Sequence, residues 1–145
     1  MTCDSKFSGT DRNPAALDVV NVLVVDDDPL LREMLVMMLK IQGRNVLQAE
    51  NGAQALAMAK ALKRGAIDIL ITDLNMPGMS GIELAVELRT ARPEIRTIFT
   101  SGHSAGEMAA RSCDFPESIC VQKPYHPDTM NYAIRALFVP AAMPC

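Results

Sequence analysis

The chain has no tryptophan, and aromatic residues make up 4% of its 145 residues. Proteins that bind single-stranded nucleic acid stack bases on aromatic platforms, so that class of function is not expected. Basic charge is not in excess either: 14 lysines and arginines face 17 aspartates and glutamates, for a formal net charge of −3. Without a basic field there is little to attract phosphate backbones or anionic lipid, so neither nucleic acid nor membrane is an expected partner. No apolar run approaches the roughly 18 residues that a spanning helix needs. The opening stretch, MTCDSKFSGTDRNPAALD, has no apolar segment of the kind a secretion signal requires. Cys3, Cys113, Cys120 and Cys145 form no CxxC pair. They are therefore expected to be thiols in a reducing cytoplasm, and their spacing gives little support to a zinc site.

What is present is an ordinary globular balance, 49% hydrophobic and 21% charged. The length suits one domain that buries about two-thirds of its surface and needs neither disulfide nor metal to fold. The expected organisation is a loose tail over 1–19, a folded domain over 20–138 and a short tail over 139–145.

Short apolar runs alternate with helical patterns. NVLVV at Asn21–Val25 is rich in β-branched residues and stops at DDDP, as a strand buried on both faces does. Asp28 followed by Pro29 starts a helix, the acid as N-cap and the proline at the first helical position. Leu31, Met34, Leu35, Met38 and Ile41 then recur at helical spacing until Gly43. Residues 45–50 read as a second strand and 53–64 as a second helix. Residues 67–72 (IDILIT) form a third strand, followed by the loop LNMPGMSG and a helix over 82–91. Residues 96–100, 105–112, 118–121 and 127–138 continue as strand, helix, strand and helix. Five β–α units in succession predict an α/β fold, a doubly wound five-stranded parallel sheet with helices on both faces.

Such sheets bind ligands beyond the carboxyl ends of their strands. There the chain carries Asp26, Asp27 and Asp28, then Asp73, then Thr100 and Ser101, then Lys123. Three carboxylates on one rim repel, and a hard divalent cation such as Mg²⁺ relieves that conflict with oxygen ligands. A cation, a lysine and a hydroxyl around one carboxylate are what a transferred phosphoryl group needs, with the carboxylate itself as nucleophile. Taken singly, Asp28 is a helix cap, Asp73 a loop acid, Thr100 and Ser101 turn residues, and Lys123 a solvated lysine. Independent loop residues would not all fall at the ends of the first, third, fourth and fifth strands. His103 and His126 are given no metal or catalytic role. Met34, Met37 and Met38 are expected to pack within the helix, with one partly exposed, and Met76 and Met79 to be surface contacts in the loop.

The segments VLVVDDDPLLREML, ILITDLNMPGMSGIEL, TIFTSG and VQKPY together resemble the receiver domain of bacterial two-component response regulators, from about Asn21 to Phe138. The resemblance implies a flavodoxin-like fold with Asp73 as phosphoacceptor. It implies Mg²⁺ held by Asp27 directly, by Asp26 mostly through water, by Asp73 and by the backbone carbonyl of Asn75. Thr100 would be the switch hydroxyl. Lys123 would pair with the phosphoryl group, through a cis bond to Pro124. A sensor histidine kinase or histidine phosphotransfer protein would be the donor and a downstream protein the target, with the chain a monomer or weak dimer in the cytoplasm. The expected switch and partner surface involves Ser101, Cys120 and Tyr125, on the face formed by 104–112, 118–121 and 127–138.

Two positions depart from the family pattern. Cys120 stands where many members carry a tyrosine or phenylalanine, and Tyr125 is the candidate substitute. Gly102, two residues after Thr100, has no side chain to orient a water for dephosphorylation. With seven residues after Phe138, a stand-alone receiver acting through a partner is expected. Three alternatives are a Mg²⁺-dependent phosphatase, a binding module that is never phosphorylated, and a nucleotide-binding doubly wound domain, for which the chain has no GxGxxG or P-loop. The phosphatases typically use a second aspartate two residues after the nucleophile, where this chain has Asn75. The binding modules usually lose the acids or the lysine, and none is lost here.

Overall fold

The computed structural model describes residues 19–102 and 118–138. Five strands, β1 (Asn21–Val25), β2 (Asn45–Ala49), β3 (Ile69–Asp73), β4 (Arg96–Ser101) and β5 (Ile119–Gln122), make one sheet in the order β2-β1-β3-β4-β5. Every pairing is parallel. The chain leaves β1 toward one edge and β3 toward the other, so the order reverses between these two strands. A crevice opens at such a point outside the strands' carboxyl ends.

The helices are α1 (Pro29–Ile41), α2 (Gly52–Ala61), α3 (Gly81–Ala91) and α4 (Pro127–Ala136). Alternation along the central strands sends side chains into two cores. Leu23, Leu70 and Phe99 pack with Ala55 and Ala59 of α2 and Leu84 and Leu88 of α3. Val22, Val24, Ile69, Ile71 and Ile98 pack with Leu35 and Leu39 of α1 and Met130 and Ile134 of α4. Each fully buried aliphatic side chain contributes about 1.5–3 kcal/mol, and these two layers fix the sheet between its helices. The expected α/β doubly wound architecture is the one observed. The expected helix over 105–112 lies outside the described residues, as do His103 and Cys113. None of the described helices is long and apolar enough to cross a membrane.

Local signals set the ends of the elements. Asp28 caps α1, its side chain accepting from the Leu30 and Leu31 N–H groups at 3.0 and 3.3 Å. Asp28→Ala is expected to lower stability by about 1 kcal/mol, read as a shift in the urea midpoint. Ser80 and Glu83 form a reciprocal capping box at the start of α3. That S-x-x-E signal stands in the sequence as Ser80-Gly81-Ile82-Glu83. His126 also has a structural role: its Nδ1 accepts from the Asp128 N–H and caps α4.

The buried face of α1 differs from expectation. Leu35, Val36 and Leu39 are its buried residues, whereas Leu31, Met34 and Ile41 are exposed. Met34 and Met37 do not pack in the core; they are 56% and 63% exposed, and only Met38 is half-buried against it. The helix is apolar on two sides, so periodicity alone does not choose between them. Met76 and Met79 deviate in the opposite direction. Met76 is buried and Met79 packs against the same core cluster, so both belong to the interior under the loop.

Candidate functional site

The acids and the lysine meet where β1, β3 and β5 end. Asp26 follows the last residue of β1 and is buried, Asp73 is the last residue of β3 and is buried, and Asp27 is exposed beside them. One ligand oxygen from each of Asp26, Asp27 and Asp73 lies within 4.8 Å of the others. Lys123, just past β5, reaches across to two of them. Its Nζ donates to Asp26 Oδ2 and to Asp73 Oδ2, each at 3.2 Å.

All four polar atoms of Asp26 have a partner. Its N–H donates to the Ala49 carbonyl and its own carbonyl accepts from Arg32 at 2.8 Å. Its Oδ1 accepts from the Asp28 N–H at 2.9 Å, and its Oδ2 from Lys123. The buried carboxylate is thereby fixed in one orientation, which preorganises the rim. Arg32 was not singled out from the sequence, although it sits one helical turn from the acids.

Asp73 is placed from both sides. Its neighbour in the sheet register is Thr100 of β4, buried at 2% exposure. The Asn75 N–H donates to Asp73 Oδ1 at 3.3 Å. Gly81, the first residue of α3, lies so close that a Cβ there would come 2.2 Å from the Asp73 carbonyl oxygen. Only glycine permits that approach without displacing backbone. No sequence pattern marks this requirement, because the contact is tertiary.

The remaining expected residues fall nearby with different exposures. Ser101 is fully buried, so it offers no surface itself; its carbonyl accepts from the Lys123 N–H at 2.7 Å. Cys120 is half-buried and packs with the core cluster that contains Phe99, its register neighbour. The Lys123-Pro124 bond is cis. Tyr125 packs toward α1 in the other core, and with Leu31, Met34, Leu35 and Met38 it lines an apolar groove of 310 Å³.

Electrostatics at the rim follow from one cation serving two acids. Burial raises the Asp73 pKa, and attraction and hydrogen bonding from Lys123 only partly offset that rise. Burial disfavours the Lys123 charge, but Asp26 and Asp73 outweigh it and hold its pKa above the ordinary 10.5. Burial and then the same two carboxylates push the Tyr125 phenol up to about 12.

Both basic-side groups keep their protons longer in the folded chain than in the unfolded one. The Lys123 contribution is complete below 10.5 and is lost as pH rises through the folded value. The Tyr125 contribution falls in the same direction, from pH 10.0 up to about 12. In chelator-containing buffer, the thermal midpoint of the wild type is expected to drop above pH 10 more steeply than that of Lys123→Met or Tyr125→Phe. Parallel curves for all three would refute this assignment of the alkaline transition.

The donor set consists of carboxylate oxygens, with a buried acid held in position and an exposed one open to solvent. Hard oxygen ligands at this spacing fit a small divalent cation that keeps several waters, as Mg²⁺ does. Asp26, Asp27 and Asp73 are the residues that would hold it. A nucleophilic carboxylate flanked by a cation site, a lysine and a buried threonine can accept a phosphoryl group.

Comparison with known proteins agrees with this geometry. Residues 22–135 match the family described as the response regulator receiver domain. The probable transcriptional regulatory protein TcrX of Mycobacterium tuberculosis is 32% identical over 118 residues, which cover 81% of this chain and 49% of that protein. The chain spans about half or less of the length of the curated relatives it matches. Among solved structures, the response regulator protein TrrA from Thermotoga maritima, in complex with Mg(2+)-BeF, superposes with a TM-score of 0.71 at 30% identity, covering 82% of this chain and 99% of that one. The chemotaxis protein CheY4 of Vibrio cholerae superposes with a TM-score of 0.75 at 25% identity, covering 83% and 99%. With five parallel strands in this order, an acid cluster at their carboxyl ends and a family match over most of its length, the chain belongs to the response regulator receiver domains of two-component systems.

Proposed function

We propose that the chain is a phosphoryl-accepting switch with Asp73 as the acceptor, charged by a sensor histidine kinase or a histidine phosphotransfer protein. The observation that carries this reading is the placement of Asp73 in a group of three acids within 4.8 Å, with Lys123 Nζ 3.2 Å from its carboxylate. An Asp73 oxygen attacks phosphorus, the P–N bond of the donor phosphohistidine breaks, and its electron pair stays on the imidazole nitrogen. The product is an acyl phosphate on Asp73. Mg²⁺, when bound, would neutralise the phosphoryl oxygens as charge redistributes. Lys123 supplies a second positive charge to the same oxygens, and Thr100 a hydroxyl donor. Asp26 and Asp27 would hold the cation, and the carbonyl of Asn75 is assigned as a further ligand by resemblance. This chemistry belongs in the cytoplasm, with the histidine donors.

Phosphorylation adds about −1.5 to −2 charges at neutral pH. Lys123 then has a new set of acceptors and a reason to leave its present bridge between Asp26 and Asp73. Movement of Lys123 is felt at its chain neighbours, Pro124 and Tyr125, and through its backbone bond at Ser101. The output is a protein-binding surface that includes β5 and α4, with Tyr125 and Cys120 in place of the more common aromatic switch. Incubation with acetyl phosphate and Mg²⁺ followed by intact-mass measurement tests the reading. A singly phosphorylated species is expected, and no uptake would favour a receiver-like binding module instead. Continuous release of phosphate from many phosphomonoesters would favour a hydrolase.

Gly102 sets the lifetime of the phosphorylated form in this reading. It carries no group to orient a water, and a Cβ there would meet no atom of the described residues within 4 Å. Gly102→Glu is therefore accommodated and is expected to shorten the half-life of the acyl phosphate by roughly a hundredfold, the low end for a positioned acid–base group. Equal half-lives would refute this role.

A further inference from the structure

Helix α1 carries a second apolar face that the fold does not use. Opposite the core-facing Leu35, Val36 and Leu39, the side chains of Leu30, Met34, Met37 and Ile41 are 66%, 56%, 63% and 79% exposed. Their steps of four, three and four residues are those of a two-helix seam. Scattered exposed apolar residues need no explanation, but a contiguous stripe marks an interaction surface. The spacing suits a helix as the occupant.

Charge specifies which helix. Glu33 and Lys40 are both exposed and lie seven residues apart on one flank of the stripe, the acid toward the N-terminus and the base toward the C-terminus. Laid antiparallel on a second copy about a twofold axis, the stripe meets itself. In that arrangement Leu30 would fall opposite Ile41 of the partner subunit, and Met34 opposite Met37 of the partner subunit. The same rotation brings Glu33 beside Lys40 of the partner subunit, and Lys40 beside Glu33 of the partner subunit. Both ion pairs form together because a twofold contact uses the same patch twice. Parallel pairing forms neither. On the other flank the stripe continues into the apolar groove lined by Met38, Pro124 and Tyr125.

We propose that α1 is a self-docking surface through which two copies of this chain associate as an antiparallel, twofold-symmetric pair. One helix seam sits at the low end of the roughly 1,000 Å² that a specific interface needs, so the pair is weak and concentration-dependent.

Sedimentation velocity of the full chain from micromolar to millimolar concentration tests this. A reversible monomer–dimer shift is expected. Met37→Glu, at an exposed position, is expected to weaken association at least tenfold with an unchanged thermal midpoint. At low salt, Glu33→Lys and Lys40→Glu each weaken association several-fold, and the double substitution restores it, because only self-pairing makes the two positions face each other. A monomer at every concentration, a dimer insensitive to Met37→Glu, or a double swap that fails to restore association overturns the proposal. So does a monomer in which Met37→Glu instead slows phosphotransfer from a histidine-phosphorylated donor; that result assigns the stripe to the donor.

Discussion

Asp73→Asn is expected to take up no phosphoryl group from acetyl phosphate and Mg²⁺, while keeping the fold and gaining stability at neutral pH. The loss of uptake follows from the amide, which lacks the carboxylate oxygen that attacks phosphorus. The gain follows from the raised Asp73 pKa. Burial makes the ionised acid less favourable in the folded chain than in the unfolded one, and Lys123, shared with Asp26, compensates it incompletely. Asparagine keeps a carbonyl oxygen for Lys123 and removes the charge. Intact-mass spectra and thermal melts of the two proteins, side by side, check both parts. Uptake that persists in Asp73→Asn would place the acceptor elsewhere, and a lower thermal midpoint would mean that the Lys123 bridge outweighs the burial of Asp73.

Lys123→Ala has the second large expected effect. Asp26 and Asp73 are 5% and 11% exposed at their side chains and share this one ammonium. Removing it leaves two buried carboxylates close together, and stability at pH 7 is expected to fall by about 3 kcal/mol, the low end for breaking a buried ion pair by deleting one partner. Phosphoryl uptake slows as well, because a positive charge beside the acceptor is lost. A ligand that binds only the folded chain stabilises it according to its affinity. The more negative rim of Lys123→Ala should therefore gain more from added Mg²⁺ than the wild type does. Urea titrations with chelator and with Mg²⁺ measure both effects. Equal stabilisation of the two proteins by Mg²⁺ would separate Lys123 from the cation site.

Much of this site could be read from the residues. β1 and β3 are buried on both faces and therefore appear as short continuous apolar runs; each ends sharply in an acid, and that ending marks the rim. Asp26, Asp27, Asp73, Thr100 and Lys123 stand out because they fall at the carboxyl ends of β1, β3, β4 and β5, and the structure brings them together. Other features depended on three-dimensional context. The buried face of α1 was misread because Leu30, Met34, Met37 and Ile41 are as apolar as the residues that reach the core. Met76 and Met79 lie in a loop rich in proline and glycine, where composition suggests exposure, yet they close the core beneath it. Gly81 and Arg32 serve the site through contacts with backbone carbonyls, those of Asp73 and Asp26, and a carbonyl leaves no trace in the sequence.

The identity of the acceptor is the central claim, and peptide mapping tests it most directly. The wild type is treated with acetyl phosphate and Mg²⁺, the acyl phosphate is trapped by borohydride reduction, and the digested chain is sequenced by mass spectrometry. Reduction at Asp73 alone is the predicted result. Reduction at Asp26 or Asp27, or no reduced aspartate in a protein that has taken up phosphoryl groups, would contradict it.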